Sequence, residues 1–279
     1  MLTVAQALAQ AQAALRPHSE TAALDAQTLL AAIMHRDRAW LLAHPQARLT
    51  PRQHRRLQRA CARLAQGVPL PYVLGRWAFY GRDFALTPAV LIPRPETETL
   101  VELALAWLKA NPTRRWAADV GTGSGILAVT LAAEIPNLHV TATDISTDAL
   151  GLARLNAQRH QVAERIVFLE TDLLNAPRGP FDLIVANLPY IPSEQLNTLA
   201  VARYEPRQAL DGGQDGLDLI RRLLAQAKVR LAPQGLLLLE IASDQGEPAK
   251  ALAEAAFPQA TITLHHDLAG LPRVVAIAT

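Results

Sequence analysis

The chain is 279 residues long, half of them hydrophobic and 19% charged, which is too apolar for disorder and long enough for one large domain with a small companion. Its 27 basic and 25 acidic residues leave a formal charge of +2, too near balance for wholesale nucleic-acid binding, so no direct nucleic-acid substrate is expected. A lone cysteine, Cys61, permits neither an internal disulfide nor a cysteine zinc site. No apolar run approaches the ~20 residues that span a bilayer, and the first residues lack the charged head and cleavage site of a secretion signal. A cytoplasmic protein with no membrane partner is expected.

Residues 1–67 read as a small N-terminal helical domain, rich in helix formers and without strand-like alternation. Its last helix has the plainest boundaries. Thr50 and Gln53 have the spacing of a capping box, Pro51 suits the first helical position, and Gly67 supplies a stop. Leu57, Ala60, Cys61 and Leu64 share one face of it, which predicts core, while Arg52, Arg55, Arg56, Arg59 and Arg63 form a ridge on another. Such a ridge is either a solvated face or a docking surface for an acidic or RNA-associated partner.

Residues 68–93 read as a connector interrupted by Pro69, Pro71, Pro88 and Pro93. Within it, Trp77–Tyr80 and Asp83–Leu86 predict two short strands around a Gly81-Arg82 turn. Residues 94–279 form the large domain. From about residue 114 strands and helices alternate, with strands expected at 117–120, 139–143, 166–169, 183–186 and 236–241. That alternation predicts an α/β fold with a parallel sheet covered on both faces. Two last strands, 261–264 and 273–278, follow one another without a helix between them and are expected to pair antiparallel at one side.

Four features carry chemistry. The first strand of the sheet runs into Gly121-Thr122-Gly123-Ser124-Gly125 and then a helix, a turn where backbone can approach a ligand beside a helix N-terminus. The spacing is G-x-G-x-G, unlike the usual dinucleotide pattern. The next strand ends at Asp144, placed to accept from ribose hydroxyls. The third leads to Asp172 and Leu173, where a carboxylate can accept from an adenine amino group. The fourth ends at Asn187-Leu188-Pro189-Tyr190. An amide or exocyclic amine is a poor nucleophile, so a site that methylates one must hold its N–H groups. The Asn187 side-chain carbonyl and the Leu188 backbone carbonyl are suited to accept them, and Tyr190 can pack against a flat group. His265 and His266 have no third ligand at metal spacing, and no metal is expected.

With these motifs in place, the chain resembles the release factor-specific protein-(glutamine-N5) methyltransferases. The likeness also rests on Leu91-Ile-Pro-Arg-Pro-Glu-Thr-Glu98, on Tyr204 to Gly216, and on Asp25–Leu30 and Val68–Tyr72. It implies a Rossmann-like seven-stranded methyltransferase sheet and S-adenosyl-L-methionine as donor, with S-adenosyl-L-homocysteine as product. As acceptor it implies the Gly-Gly-Gln glutamine of peptide chain release factors. The donor would lie against Gly121, Thr122, Gly123, Ser124, Gly125, Asp144, Asp172, Leu173 and Asn187, and the glutamine against Asn187 to Tyr190. Two positions depart from the family pattern. Leu173 stands where an aromatic is common, and Leu188 replaces a first proline, which predicts a more flexible loop. Three alternatives share the same chemistry or pocket: a glutamine methyltransferase of a ribosomal protein, an adenine-amino methyltransferase of nucleic acid, and a donor-binding module without catalysis.

Overall fold

A computed structural model of the chain describes residues 1–177 and 179–279. It divides into two compact units, Met1–Arg76 and Trp77–Thr279. The first holds helices α1 (Val4–Leu15), α2 (Ala22–Met34), α3 (Arg38–Ala43), α4 (Pro51–Ala65) and α5 (Leu70–Leu74). Val4, Leu15, Leu29, Leu30 and Leu41 meet Leu57 and Cys61 in its core. The start of α4 is fixed reciprocally, since the Thr50 hydroxyl accepts from the Gln53 N–H at 3.2 Å and the Gln53 side chain accepts from the Thr50 N–H at 2.8 Å. Leu57 and Cys61 face inward and all five ridge arginines are exposed, so the two faces of α4 separate as their periodicity requires. Helix α5 lies in the stretch read as connector. Two prolines hide it from a sequence reading, yet Pro71 falls in its first turn, where the missing N–H costs nothing.

The second unit opens with a hairpin of β1 (Arg76–Phe79) and β2 (Arg82–Ala85). Its turn is Tyr80-Gly81, one residue earlier than the expected Gly81-Arg82. Both residues adopt positive φ, +48° and +70°, the geometry that matches the twist of a two-residue hairpin.

There follow α6 (Thr97–Ala110), β3 (Trp116–Val120), α7 (Ile126–Glu134), β4 (His139–Asp144), α8 (Thr147–Arg159), β5 (Ile166–Glu170) and β6 (Phe181–Ala186). Then come α9 (Asp218–Ala227), β7 (Leu231–Glu240), α10 (Gly246–Ala256), β8 (Thr261–His266) and β9 (Pro272–Ala278). The strands form one seven-stranded sheet in the order β5-β4-β3-β6-β7-β9-β8. Neighbours from β5 to β7 run parallel, and β9 lies antiparallel to both β7 and β8.

Alternate strand residues feed two cores. Leu183 and Val185 of β6 face α6 and α7, whereas Ile184 and Ala186 face α9 and α10. Strand β6 is buried along its whole length, which is why it reads as a continuous apolar run. The chain leaves β3 toward β4 and β5 on one side and returns as β6 on the other. Adjacent loops therefore splay apart at the carboxyl ends of β3 and β6, the place where open sheets bind ligands.

Candidate active site

The glycine turn occupies that crevice. The Gly121 and Thr122 N–H groups both donate to the Thr143 carbonyl, at 2.9 and 2.8 Å, which binds the turn to the end of β4. From beneath, Asp119 accepts from the Thr122 hydroxyl at 2.6 Å and the Ala128 N–H at 3.0 Å, joining the turn to α7. Gly121, Gly123 and Gly125 all have positive φ. A Cβ on Gly125 would stand 3.0 Å from Ala153 Cβ, but one on Gly123 would meet no protein atom within 4 Å. Gly125 serves helix packing, and Gly123 leaves space for something that is not protein.

Asp144 accepts from the Gly123 N–H through Oδ2 and from the Ser146 N–H through Oδ1, both at 2.9 Å. The turn and the carboxylate hold each other. The Asp172 carboxylate is engaged by Arg222 of α9, a partner that reading along the chain does not reveal. Leu173 beside it is buried with φ +51°. Gly121 to Ser124, Asp144, Asp172, Leu173 and Asn187 to Pro189 all line one cavity of about 310 Å³. Gly125 and Tyr190 are not among its lining residues. Ile145, more than half exposed, adds an apolar wall that sequence reasoning missed.

The loop after β6 is braced by backbone. Ile191 N–H donates to the Leu210 carbonyl at 3.0 Å, Gly212 N–H to the Ile191 carbonyl at 2.8 Å, and Gln245 Nε2 to the Tyr190 carbonyl at 2.9 Å. Leu188, which stands where the family pattern has a proline, packs its side chain into the core. Its side chain is buried with Leu217 and Ile220, and its Cδ2 lies 3.0 Å from where a Gly121 Cβ would stand. Packing here does part of the work that a fixed φ would do. The segment 91–98 reaches the site in two ways. The Ile92 N–H and the Arg94 guanidinium bind the two oxygens of buried Glu205, at 3.1 and 2.5 Å, and the Thr97 hydroxyl accepts from Asn187 Nδ2 at 3.1 Å.

Three carboxyls are pushed upward by burial, Asp144 among them. Asp119 rises to about 6 and Glu240, at the end of β7, to about 7. Tyr190 is held at about 12, mainly by burial and then by the nearby Glu240. A raised carboxyl pKa means that the folded chain keeps its proton longer than the unfolded one. The associated stability is complete below pH ~4 and is lost as pH rises through about 7. For Glu240 the shift corresponds to a cost of about 3 kcal/mol at alkaline pH. Thermal unfolding between pH 5 and 8 should therefore show a shallower decline in a Glu240→Gln variant than in the parent chain.

Comparison with known proteins agrees across both units. The PrmC N-terminal domain family matches residues 6–75, and the methyltransferase small domain family matches residues 98–204. A release factor glutamine methyltransferase of Moorella thermoacetica is 45% identical over 91% of this chain and 90% of its own length. One of Coxiella burnetii is 39% identical over 99% and 98%. The chain belongs to the release factor glutamine methyltransferase family. Among solved structures, a ribosomal protein L11 methylase of Lactobacillus delbrueckii subsp. bulgaricus is 25% identical, with TM-score 0.51 over 69% of this chain and 83% of that one. The human Mettl16 catalytic domain, at 13% identity, shares the fold with TM-score 0.56 and 82% coverage of each chain.

As a member of the release factor glutamine methyltransferases, the chain shows in space why its two most specific segments go together. Residues 91–98 and 204–216 are tied through Glu205, and the latter segment braces the Asn187 loop.

Proposed function

We propose that this chain transfers a methyl group from S-adenosyl-L-methionine to the side-chain amide nitrogen of the Gly-Gly-Gln glutamine in peptide chain release factors. S-adenosyl-L-homocysteine is the second product. The observation that carries the reading is the meeting, in one cavity, of the glycine turn after β3 and the Asn187 loop after β6. The donor residues fit such a molecule. Gly123 leaves room at its Cβ, Asp144 keeps lone pairs beyond its two backbone bonds, and Ile145 and Leu173 supply apolar walls. When bound, S-adenosyl-L-methionine supplies an electrophilic methyl group that an amide nitrogen can take up.

The acceptor's lone pair is delocalised into its carbonyl, so orientation matters more than basicity. Asn187 Oδ1 and the Leu188 carbonyl accept the two glutamine N–H hydrogens, and this favours positive charge growing on that nitrogen. The Tyr190 ring, set behind the residues that line the cavity, is assigned to packing against the planar amide once the substrate is bound. As the new N–C bond forms the S–C bond breaks, and the surplus proton on nitrogen then leaves to water. No strong base is required. Labelled-methyl transfer to a purified release factor, beside one whose Gly-Gly-Gln glutamine is replaced, tests the reading. Label mapped by mass spectrometry to that glutamine alone supports it. Label elsewhere, or on ribosomal protein or nucleic acid instead, overturns it.

The helical unit is proposed to dock the protein substrate. Arg56, Arg59 and Arg63 have no ion-pair partner among the described residues, and with His35 they rim a hollow of about 480 Å³ floored by Leu29, Ile33 and Val73. An acidic segment carrying an apolar side chain complements it. Charge reversal at Arg55, Arg56 and Arg59 together should raise the apparent KM for release factor about tenfold or more at low salt, with kcat for bound substrate little changed. An unchanged KM would make the ridge a solvated surface. Among the described residues no helix is long and apolar enough to cross a membrane, and the cytoplasm, where translation terminates, is the proposed compartment.

A further inference from the structure

Asn187 must present its carbonyl oxygen, not its amino group, to an incoming amide. An asparagine side chain can turn over at little cost unless neighbours distinguish its two ends. The neighbours here are Thr97, the first residue of α6, and Glu240, the last residue of β7. Thr97 is fully buried and Glu240 is 3% exposed. Asn187 Nδ2 donates to Thr97 Oγ1 at 3.1 Å, and the Thr97 hydroxyl and the Asn187 side chain are the polar groups that act on the Glu240 carboxyl beside them. Its Oε2 has no hydrogen-bond partner. A buried acid that is only partly satisfied is costly, and stability alone gives no reason for it.

We propose that Glu240 is a positioning residue that acts through Thr97 to fix the rotamer of Asn187, so that Asn187 Oδ1 faces the substrate glutamine. This rests on the methyl-transfer reading above for its purpose, although not for its chemistry. An ionised carboxylate can only accept. It takes the hydroxyl proton of Thr97, which leaves Thr97 Oγ1 as an acceptor for Asn187, and it takes the other amino hydrogen of Asn187 itself. Both Asn187 N–H groups are then turned inward and the carbonyl is left for the cavity. A protonated Glu240 can donate as well, and the distinction between the two ends of Asn187 is lost.

The groups that act on Glu240 from other elements are Glu96 before α6, Tyr190 of the catalytic loop and Arg273 of β9, and Arg94 acts on Tyr190 beside it. Arg273 is itself paired with Asp267 at 2.8 Å, and Arg94 with Glu205. Neither cation is dedicated to Glu240, whose ionisation near neutral pH is set chiefly by burial. The same change of state that costs the fold stability as pH rises would therefore align the site.

The test joins a spectroscopic readout to kinetics on the full chain. The Asn187 side-chain amide resonance, assigned by its loss in Asn187→Ala, is expected to shift with a midpoint near pH 7 and to stop doing so in Glu240→Gln. In Glu240→Gln and Thr97→Val, both close in shape to the native residue, kcat should fall roughly 10- to 100-fold with donor affinity and release-factor KM within about threefold. Thr97→Ser, which restores the hydroxyl, should recover most of that loss. Loss of the acid limb of the kcat profile in Glu240→Gln belongs to the same expectation. An Asn187 resonance indifferent to pH and to Glu240→Gln overturns the proposal, as does an unaltered kcat in both variants of a chain that does methylate release factor. If the resonance follows Glu240 and the parent chain transfers no methyl to any release factor, the relay stands and the reading of the acceptor fails.

Discussion

An Asn187→Ala variant is expected to lose methyl transfer by about a thousandfold while binding S-adenosyl-L-methionine within a few-fold of the parent chain. The donor contacts proposed for Gly123, Asp144 and Leu173 are untouched by the change. In the proposed reaction the lost group is an oriented acceptor, and a hydrogen bond from a fixed acceptor to developing charge is worth more than one in bulk water. Calorimetry for the donor and initial rates of label transfer separate the two effects. Turnover within tenfold of the parent would remove Asn187 from the proposed chemistry. A parallel loss of donor affinity would assign it to donor binding instead.

Two glycine substitutions should have opposite signatures. In Gly216→Ala, the new Cβ falls inside contact distance of the Tyr190 carbonyl oxygen and 2.5 Å from Gln245 Nε2, at a residue with φ +80°. Backbone strain and overpacking together are expected to cost about 2–4 kcal/mol of stability. The Tyr190 carbonyl must move from its Gln245 partner, and kcat should fall roughly a hundredfold with donor affinity largely kept. In Gly123→Ala no protein atom is struck, so only the left-handed φ of +55° is penalised, at about 1–2 kcal/mol. There the donor should bind at least tenfold more weakly, because the methyl group occupies space proposed for it. Equal effects of the two on donor affinity would contradict the division of the cavity into a donor wall and an acceptor wall.

What could be read from the chain was local. Gly121 to Gly125 lie between a strand and a helix that are both apparent from periodicity, and Asp144 and Asn187 each close a strand. Their meeting follows once a parallel sheet is inferred, because every such strand delivers its carboxyl end to the same edge. The antiparallel pairing of the last two strands was legible for the same reason: no crossover helix lies between them. The unread features are contacts made across long stretches of chain. Arg222 on Asp172, Thr97 on Asn187 and Glu205 on residues 92–94 leave no periodic trace. Helix α5 was masked by prolines that its first turn tolerates. Leu188 read as a loosened loop because its burial depends on Leu217 and Ile220, which arrive only with α9.

The bracing of the cavity has a consequence for redesign. The proposed donor wall is held by Asp119, Thr143 and Asp144, and the proposed acceptor wall by Leu210, Gly212 and Gln245. They abut where Gly121 faces Leu188. Residues 188–193 and 204–216 thus form a cassette that could be exchanged as one piece between enzymes with different acceptors, provided that a side chain of leucine's reach is kept at 188. Transplanting either half alone would break its hydrogen bonds to the other, so acceptor preference on this scaffold should be inherited in pairs of segments rather than in single residues.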